Sequence, residues 1–256
     1  MMRENWRVKR RSALVGAVLL GGALVGSCGP AANAELERFL AQHGALSAAE
    51  RETALRAKIA EGGRLAMLAH YALGNDFYLA AEQGEGSLTL LDSARVHFEA
   101  AAALDTTFVE AWVNLGSTWD DLSDRTESGQ LRLRQERWDK AERAYGRALA
   151  LKPTDEKAQC NLGALLVKRR QYPEALAHFK KALADNPKSA LAHYNIAIMF
   201  ADSKMYREAK REWEAAAKCD PKGDIGQRSR ENVKVVEKLM AASVPAESGP
   251  RAAGGH

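Results

Sequence analysis

Apolar and small residues fall at helical spacing along most of the chain, and they do so with a period. Between Glu156 and Ser189, Leu162, Gly163 and Leu166 are followed by Ala175, Phe179 and Ala182, and Pro187 closes the segment. Between Ala190 and Gly223 the same classes return as Ile196, Ala197 and Phe200, then Ala209, Trp213 and Ala216, then Pro221. Corresponding positions differ by 34 residues: Gly163 and Ala197, Ala175 and Ala209, Pro187 and Pro221. Spacings of three and four put these positions on one helical face, so each segment predicts two amphipathic helices and a turn. Small residues stand where the two helices of a hairpin cross closely, large ones fill holes in the neighbour, and proline ends the second helix. One hairpin cannot bury its apolar face alone, so the copies must stack.

Two further copies lie upstream. Trp112-x-x-Leu115-Gly116-x-x-Trp119 is followed by Ala141-x-x-x-Tyr145, Ala148 and Pro153, with the halves 13 residues further apart than in the regular copies. The insert spans roughly 120–137, and Thr126-Glu127-Ser128-Gly129 puts a turn near its middle. Extension of both helices by about two turns, as a protruding hairpin, is the expected result. The other copy reads His70-x-x-Leu73-Gly74-x-x-Phe77, then Ala94-x-x-x-Phe98 and Ala101, with Thr106 in the proline position and 8 extra residues around Gln83 to Gly86. Before the repeats, 34–66 reads as a helical cap, with a capping box at Ser47-x-x-Glu50 and with Leu55 and Ile59 on one face. After them, 224–241 reads as an amphipathic capping helix with Val233, Val236 and Met240 on its buried side, and 242–256 as a disordered tail.

The 34-residue pattern resembles the tetratricopeptide repeat, with its W-x-x-L-G-x-x-Y, A-x-x-x-F and P positions. The resemblance implies an all-α solenoid, a right-handed superhelix of antiparallel helix pairs, with repeats at 67–108, 109–155, 156–189 and 190–223. It also implies that the first helices line a protein-binding groove. The sixth repeat position, which often points into that groove, holds Asn114, Asn161 and Asn195. An asparagine amide both donates and accepts, so three of them could form a ladder for an extended segment; equally, they could bond only to neighbouring helices. Tyr71 and Tyr194, at the fifth position, are candidates to line the same groove. The fifth positions Tyr71, Val113, Cys160 and Tyr194 include no lysine or arginine, so a clamp for an acidic terminus is not expected.

The N-terminus reads differently. Residues 1–11 are basic, and Ala13 to Gly26 form an uncharged run of 14 residues. A helix of that length spans about 21 Å, short of the roughly 30 Å hydrocarbon core, so 1–27 reads as a signal peptide rather than a permanent span. The run ends in Val25-Gly26-Ser27-Cys28, which resembles a bacterial lipobox and makes Cys28 the candidate lipidation site. An ordinary secretory signal with a chance cysteine is the alternative, and Arg10-Arg11 also resembles a twin-arginine export signal. Lipid-anchored bacterial proteins of this kind sit in the cell envelope. Gly29 after the cysteine favours the outer membrane, facing the periplasm, and 28–33 would be a short tether.

Composition removes several function classes. Cysteines number three; with Cys28 assigned to the lipid, Cys160 and Cys219 are expected to be two buried thiols without a disulfide. The formal net charge of +4 comes wholly from residues 1–27, so the remainder is neutral and gives no basic footprint for nucleic acid. Four histidines sit at repeat positions: His70 and His193 replace the tryptophan, and His97 and His178 precede the aromatic. This is repeat logic rather than a metal site. No metalloprotease, phosphate-loop or nucleophile-elbow motif occurs, so neither an enzyme nor a cofactor is expected. Asp120-Asp121 reads as an exposed carboxylate pair, and Arg132-x-Arg134-x-x-Arg137 as a solvated face or a contact for lipid or partner. The expected function is that of a membrane-anchored scaffold with a protein partner in the envelope, in assembly of a complex such as a type IV pilus or secretin. Recruitment of peptidoglycan hydrolases or periplasmic proteases is the alternative.

Overall fold

The computed structural model describes residues 30–84 and 88–242, and every regular element among them is an α-helix. In chain order these are α1 Pro30–Gly44, α2 Ala48–Glu61, α3 Gly63–Gln83, α4 Leu88–Leu104, α5 Val109–Asp124 and α6 Leu131–Leu151. They continue as α7 Glu156–Lys168, α8 Tyr172–Asp185, α9 Ala190–Asp202, α10 Tyr206–Cys219 and α11 Asp224–Ala242. Residues 1–27, read as a signal peptide, Cys28 and most of the expected tail lie outside the described residues, and α1 begins at Pro30, within the stretch expected to be a tether.

Local chemistry explains the boundaries. The Ser47 capping box forms, with Glu50 N–H donating to Ser47 Oγ and Ser47 N–H donating to the Glu50 carboxylate at 3.0 Å. Gly62 and Gly63 both take positive φ, which breaks the chain between α2 and α3. Asp155 caps α7 by accepting from Ala158 N–H at 3.0 Å, and Ser189 caps α9 by accepting from Ala192 N–H at 3.0 Å. The two regular hairpins turn on equivalent residues: Arg170 and Lys204 have φ of 63° and 62°, and the next amide reaches back to Leu166 O and Phe200 O at 2.9 Å.

The chain divides into two compact units, residues 1–187 and 188–256. In the first, α3/α4, α5/α6 and α7/α8 are antiparallel pairs (repeats 1, 2 and 3), with α4 packed on α5 and α6 packed on α7. The core repeats one contact. The aromatic of each second helix lies over the glycine of its own first helix: Phe98 over Gly74, Tyr145 over Gly116 and Phe179 over Gly163. All three aromatics are buried. A methyl group on any of these glycines would collide with the ring. Leu55 and Phe39 from the cap helices join the core of repeat 1.

In the second unit, α9/α10 form repeat 4 and α11 packs on α10. Trp213 is fully buried. Asp220 joins this hairpin to the cap: its carboxylate accepts from Gly223 N–H at 2.9 Å and Gly226 N–H at 3.1 Å. Of the three apolar residues expected to be buried on α11, only Val236 is. Val233 and Met240 are half-buried, and Gly226, Ser229 and Asn232 complete the buried stripe. The close approach of the Asp220 carbonyl to Gly226 leaves no room for a side chain at that position.

The insert in repeat 2 differs from expectation. Its 13 residues do not lengthen both helices equally: relative to α7/α8, three extend α5, three widen the turn, and seven are added to the start of α6. Only α6 gains two turns. The stop on α5 is enforced by arginines. Arg137 donates to Leu122 O at 2.6 Å and Thr126 Oγ1 at 2.8 Å, and Arg134 donates to Thr126 O at 2.7 Å. These carbonyls belong to the last turn of α5 and its exit, where no helical partner exists. The cluster expected to be a solvated face is therefore in part a helix cap; Arg132 alone of the three stays exposed.

Candidate functional site

Two surfaces of the first unit concentrate side-chain chemistry. The first is the face of the first helices α3, α5 and α7. Asn114 lies there half-buried and donates through Nδ2 to Asn75 Oδ1 at 2.9 Å and Tyr71 Oη at 3.2 Å, both in the preceding repeat. One repeat later Asn161 donates to Ser117 Oγ at 3.1 Å, which also receives the Tyr145 hydroxyl at 3.3 Å. Position six of one repeat thus bonds to position nine of the repeat before it. Asn161 is 5% exposed and Tyr71 8%, so these two support the face from beneath. In the second unit Asn195 and Tyr194 occupy the equivalent positions and are also buried.

Further along the same face, Tyr78 donates its hydroxyl to Asp121, and Lys168 bridges Asp120 at 2.6 Å and Asp124 at 2.8 Å. Arg125 pairs with Glu82 at 3.2 Å, with both side chains about a tenth exposed or less. The Asp120-Asp121 pair is therefore half-buried and engaged, not exposed as expected. Burial and the adjacent Asp120 charge push the Asp121 carboxyl up to about 7, against the opposing influence of the Tyr78 hydroxyl and Lys168. Burial also raises Glu110, on the first turn of α5. Acidic groups outnumber basic ones along this face.

The second surface is a cleft of about 680 Å³ on the opposite side of α5. Its floor is Trp112, Leu115, Trp119 and Leu122 of α5. One wall is α4, with Asp92, Arg95 and Glu99; the other is α6, with Leu133, Arg137, Lys140 and Arg143. Two cations lie over the Trp119 ring, the Lys140 ammonium at 4.4 Å and the Arg95 guanidinium at 5.2 Å from its centre. Arg95 is held by Asp92 at 2.8 Å and Glu99 at 2.7 Å. The repeat pattern does not single out this cleft, because its floor and walls come from three separate helices, α4, α5 and α6, and depend on how these pack.

The histidines act within the repeats. His70 and His97 share one hydrogen bond, Nδ1 to Nδ1, at 2.9 Å, and His97 stacks on Phe77. Burial lowers both, His97 to about 4 with help from the His70 and Arg56 charges. The same two repeat positions pair Gln159 with His178 at 2.6 Å and His193 with Glu212 at 2.7 Å. Among the described residues, no group of three or more metal-ligating side chains converges. Cys160 and Cys219 are free thiols; Cys160 is buried, but Cys219, near the end of α10, is only half-buried. No described helix is long and apolar enough to cross a membrane.

Comparison with known proteins agrees with this geometry. Residues 126–159 and 165–204 match tetratricopeptide-repeat families. The fold is an all-α tetratricopeptide-repeat solenoid. Among solved structures the chain is similar to TTC0263, a thermophilic tetratricopeptide-repeat protein of Thermus thermophilus. Identity is 18%, coverage is 78% of this chain and 99% of that one, and the TM-score is 0.59. It is also similar to MamA, at 20% identity, 61% and 79% coverage and a TM-score of 0.45. YrrB, described as a tetratricopeptide-repeat protein with an unusual peptide-binding site, is similar at 19% identity, 64% and 91% coverage and a TM-score of 0.34. No curated protein matches the chain in sequence. A solenoid of tetratricopeptide repeats supports a protein-interaction scaffold.

Proposed function

We propose that this chain is a lipid-anchored scaffold of the bacterial cell envelope that holds a protein partner on its first-helix face. The observation that carries the holding role is the polar row across repeats 1 to 3, made of two equivalent links, Asn114 to Tyr71 and Asn75, and Asn161 to Ser117. Buried hydrogen bonds fix the row, so its partly exposed groups are presented without further ordering cost. Asn114 is the recognising member: its Nδ2 hydrogens are given to Asn75 and Tyr71, which fixes the amide and leaves Oδ1 to accept from a backbone N–H of an extended segment. Tyr71 and Asn75 position it from the preceding repeat, Asn161 supports the row one repeat further on, and Asn195 and Tyr194 hold the equivalent buried positions in the second unit. The acidic surroundings favour a neutral or basic segment over an acidic one.

Anchoring through Cys28, at the outer membrane facing the periplasm, rests on the basic leader, the short apolar run and the Val25-Gly26-Ser27-Cys28 motif. Two or more acyl chains give stable attachment at ~0.8 kcal/mol per buried CH₂. In cell fractionation, Cys28→Ala is expected to move the chain from the membrane pellet to the soluble fraction or leave it unprocessed. Retention of a processed chain through an alkaline wash would rule out the lipid.

The scaffold reading is tested by affinity capture from detergent-solubilised envelopes, with the chain beside its Asn114→Ala variant, after checking that helicity is equal. A partner captured by the first and lost by the second supports the reading. Its identity, a pilus or secretin component against a hydrolase or protease, then separates the two pathways. A partner held equally by both would move the site off the first-helix face.

A further inference from the structure

We infer that the cleft between α4 and α6 is a second docking site, built for an acidic protein segment that carries a bulky apolar side chain. The floor supplies the apolar half of that recognition. Trp112 and Trp119 are only half-buried and, resting on the buried Leu115 and Leu122, leave a hydrophobic surface at the bottom of a cleft of about 680 Å³. Half-exposed tryptophans in a concave setting are the usual anchors of protein interfaces.

The walls supply the charge. On α4, Arg95 is held between Asp92 and Glu99, so that wall offers no free cation and is slightly negative. On α6, Arg137, Lys140 and Arg143 follow at three-residue spacing and form one basic row along the opposite rim. Arg143 is exposed, and Lys140 reaches across Trp119 while pairing with Glu136 at 2.7 Å. The surplus positive charge stands beside the apolar floor, and this matches a segment with carboxylates next to a leucine or an aromatic.

The origin of the cleft supports a binding role. Leu133 and Arg137 belong to the two turns of α6 that the regular repeat lacks. Repeat packing does not require those turns, yet they form the end of the basic wall. The first-helix face on the other side of α5 is acidic, so one segment cannot suit both surfaces. The molecule would thus hold two partners of opposite charge on either side of one helix. The inference borrows from the scaffold reading only the premise that the partner is a protein.

The test is selection of a random peptide library, displayed on phage, against the full chain in detergent. Recovered peptides should be enriched in aspartate and glutamate around leucine, phenylalanine or tryptophan. Their affinity should fall by about tenfold or more with Arg143→Glu, and further with Lys140→Glu added, and should weaken with salt. Arg143 is exposed, so that single variant should keep the helicity and melting temperature of the parent and guard against a folding artefact. No recovered peptides, no acidic enrichment, or equal binding to Arg143→Glu would overturn the proposal. So would Arg143-dependent binding to phosphatidylglycerol vesicles without peptide binding, because the row would then serve a lipid surface. A partner captured through Asn114 while this selection fails would sink the cleft and leave the scaffold reading intact.

Discussion

Glycine carries opposite meanings at two positions of the same array. At Gly163 a methyl group would fall within 2.9 Å of the Phe179 ring, which is fully buried and has nowhere to move. Gly163→Ala is therefore expected to destabilise by about 1–3 kcal/mol. Gly146 lies on the exposed side of α6 with nothing within 4 Å of the same methyl. Gly146→Ala should stabilise by about 0.8–1 kcal/mol, because alanine restricts the unfolded chain and favours the helix. Thermal melts of the two variants should move in opposite directions. Gly163 is legible in the sequence through its 34-residue period, and Gly146 through its lack of one. The engagement of Asp120 and Asp121 is not legible there, because their partners Lys168 and Tyr78 lie in neighbouring repeats more than forty positions away.

Asp121 also gives the molecule a pH dependence of definite sign. Its folded value, about 7, lies above the ordinary aspartate value of 3.8. The ionised form is thus disfavoured in the fold: the cost is fully present above pH 7 and fades as pH falls through 7 toward 3.8. Asp121→Asn keeps an acceptor for the Tyr78 hydroxyl and removes the charge. It should raise the melting temperature at about pH 8 and change it less at about pH 5. An equal shift at both values would show that the carboxyl is ionised throughout.

At the scale of elements, the inserted hairpin is the place where pattern and structure part. The turn is legible from Thr126 to Gly129. The unequal division of the insert is not, because α5 is stopped by Arg134 and Arg137 reaching back from the next helix. Such a cap has no local signature, whereas the Ser47 box, closed within four residues, is readable from its spacing alone. Arg137→Ala should leave the Thr126 hydroxyl without a donor and the Leu122 carbonyl with the Thr126 hydroxyl alone, at a cost of about 1–3 kcal/mol. Hydrogen exchange should rise at residues 122–130 and stay unchanged in α7 and α8. A uniform rise would mean that the arginine supports the whole unit rather than the turn.

For the whole molecule, periodicity conveys the solenoid because each repeat is a local unit that meets mainly its neighbours. The surfaces are harder to read. The repeat pattern assigns five residues to a groove, and all are placed on first helices, but only Asn114 keeps part of its surface; the other four are buried. The basic cleft on the other side of α5 arises from lengths and angles that no single segment encodes. The central claim, that the array holds a protein, is most directly tested in living cells of the source organism. A photo-cross-linking residue in place of Asn114, activated by light, should trap one discrete partner as an adduct of higher mass on a denaturing gel. Recovery of the chain without any adduct, from cells in which it is folded and processed, would contradict the scaffold account.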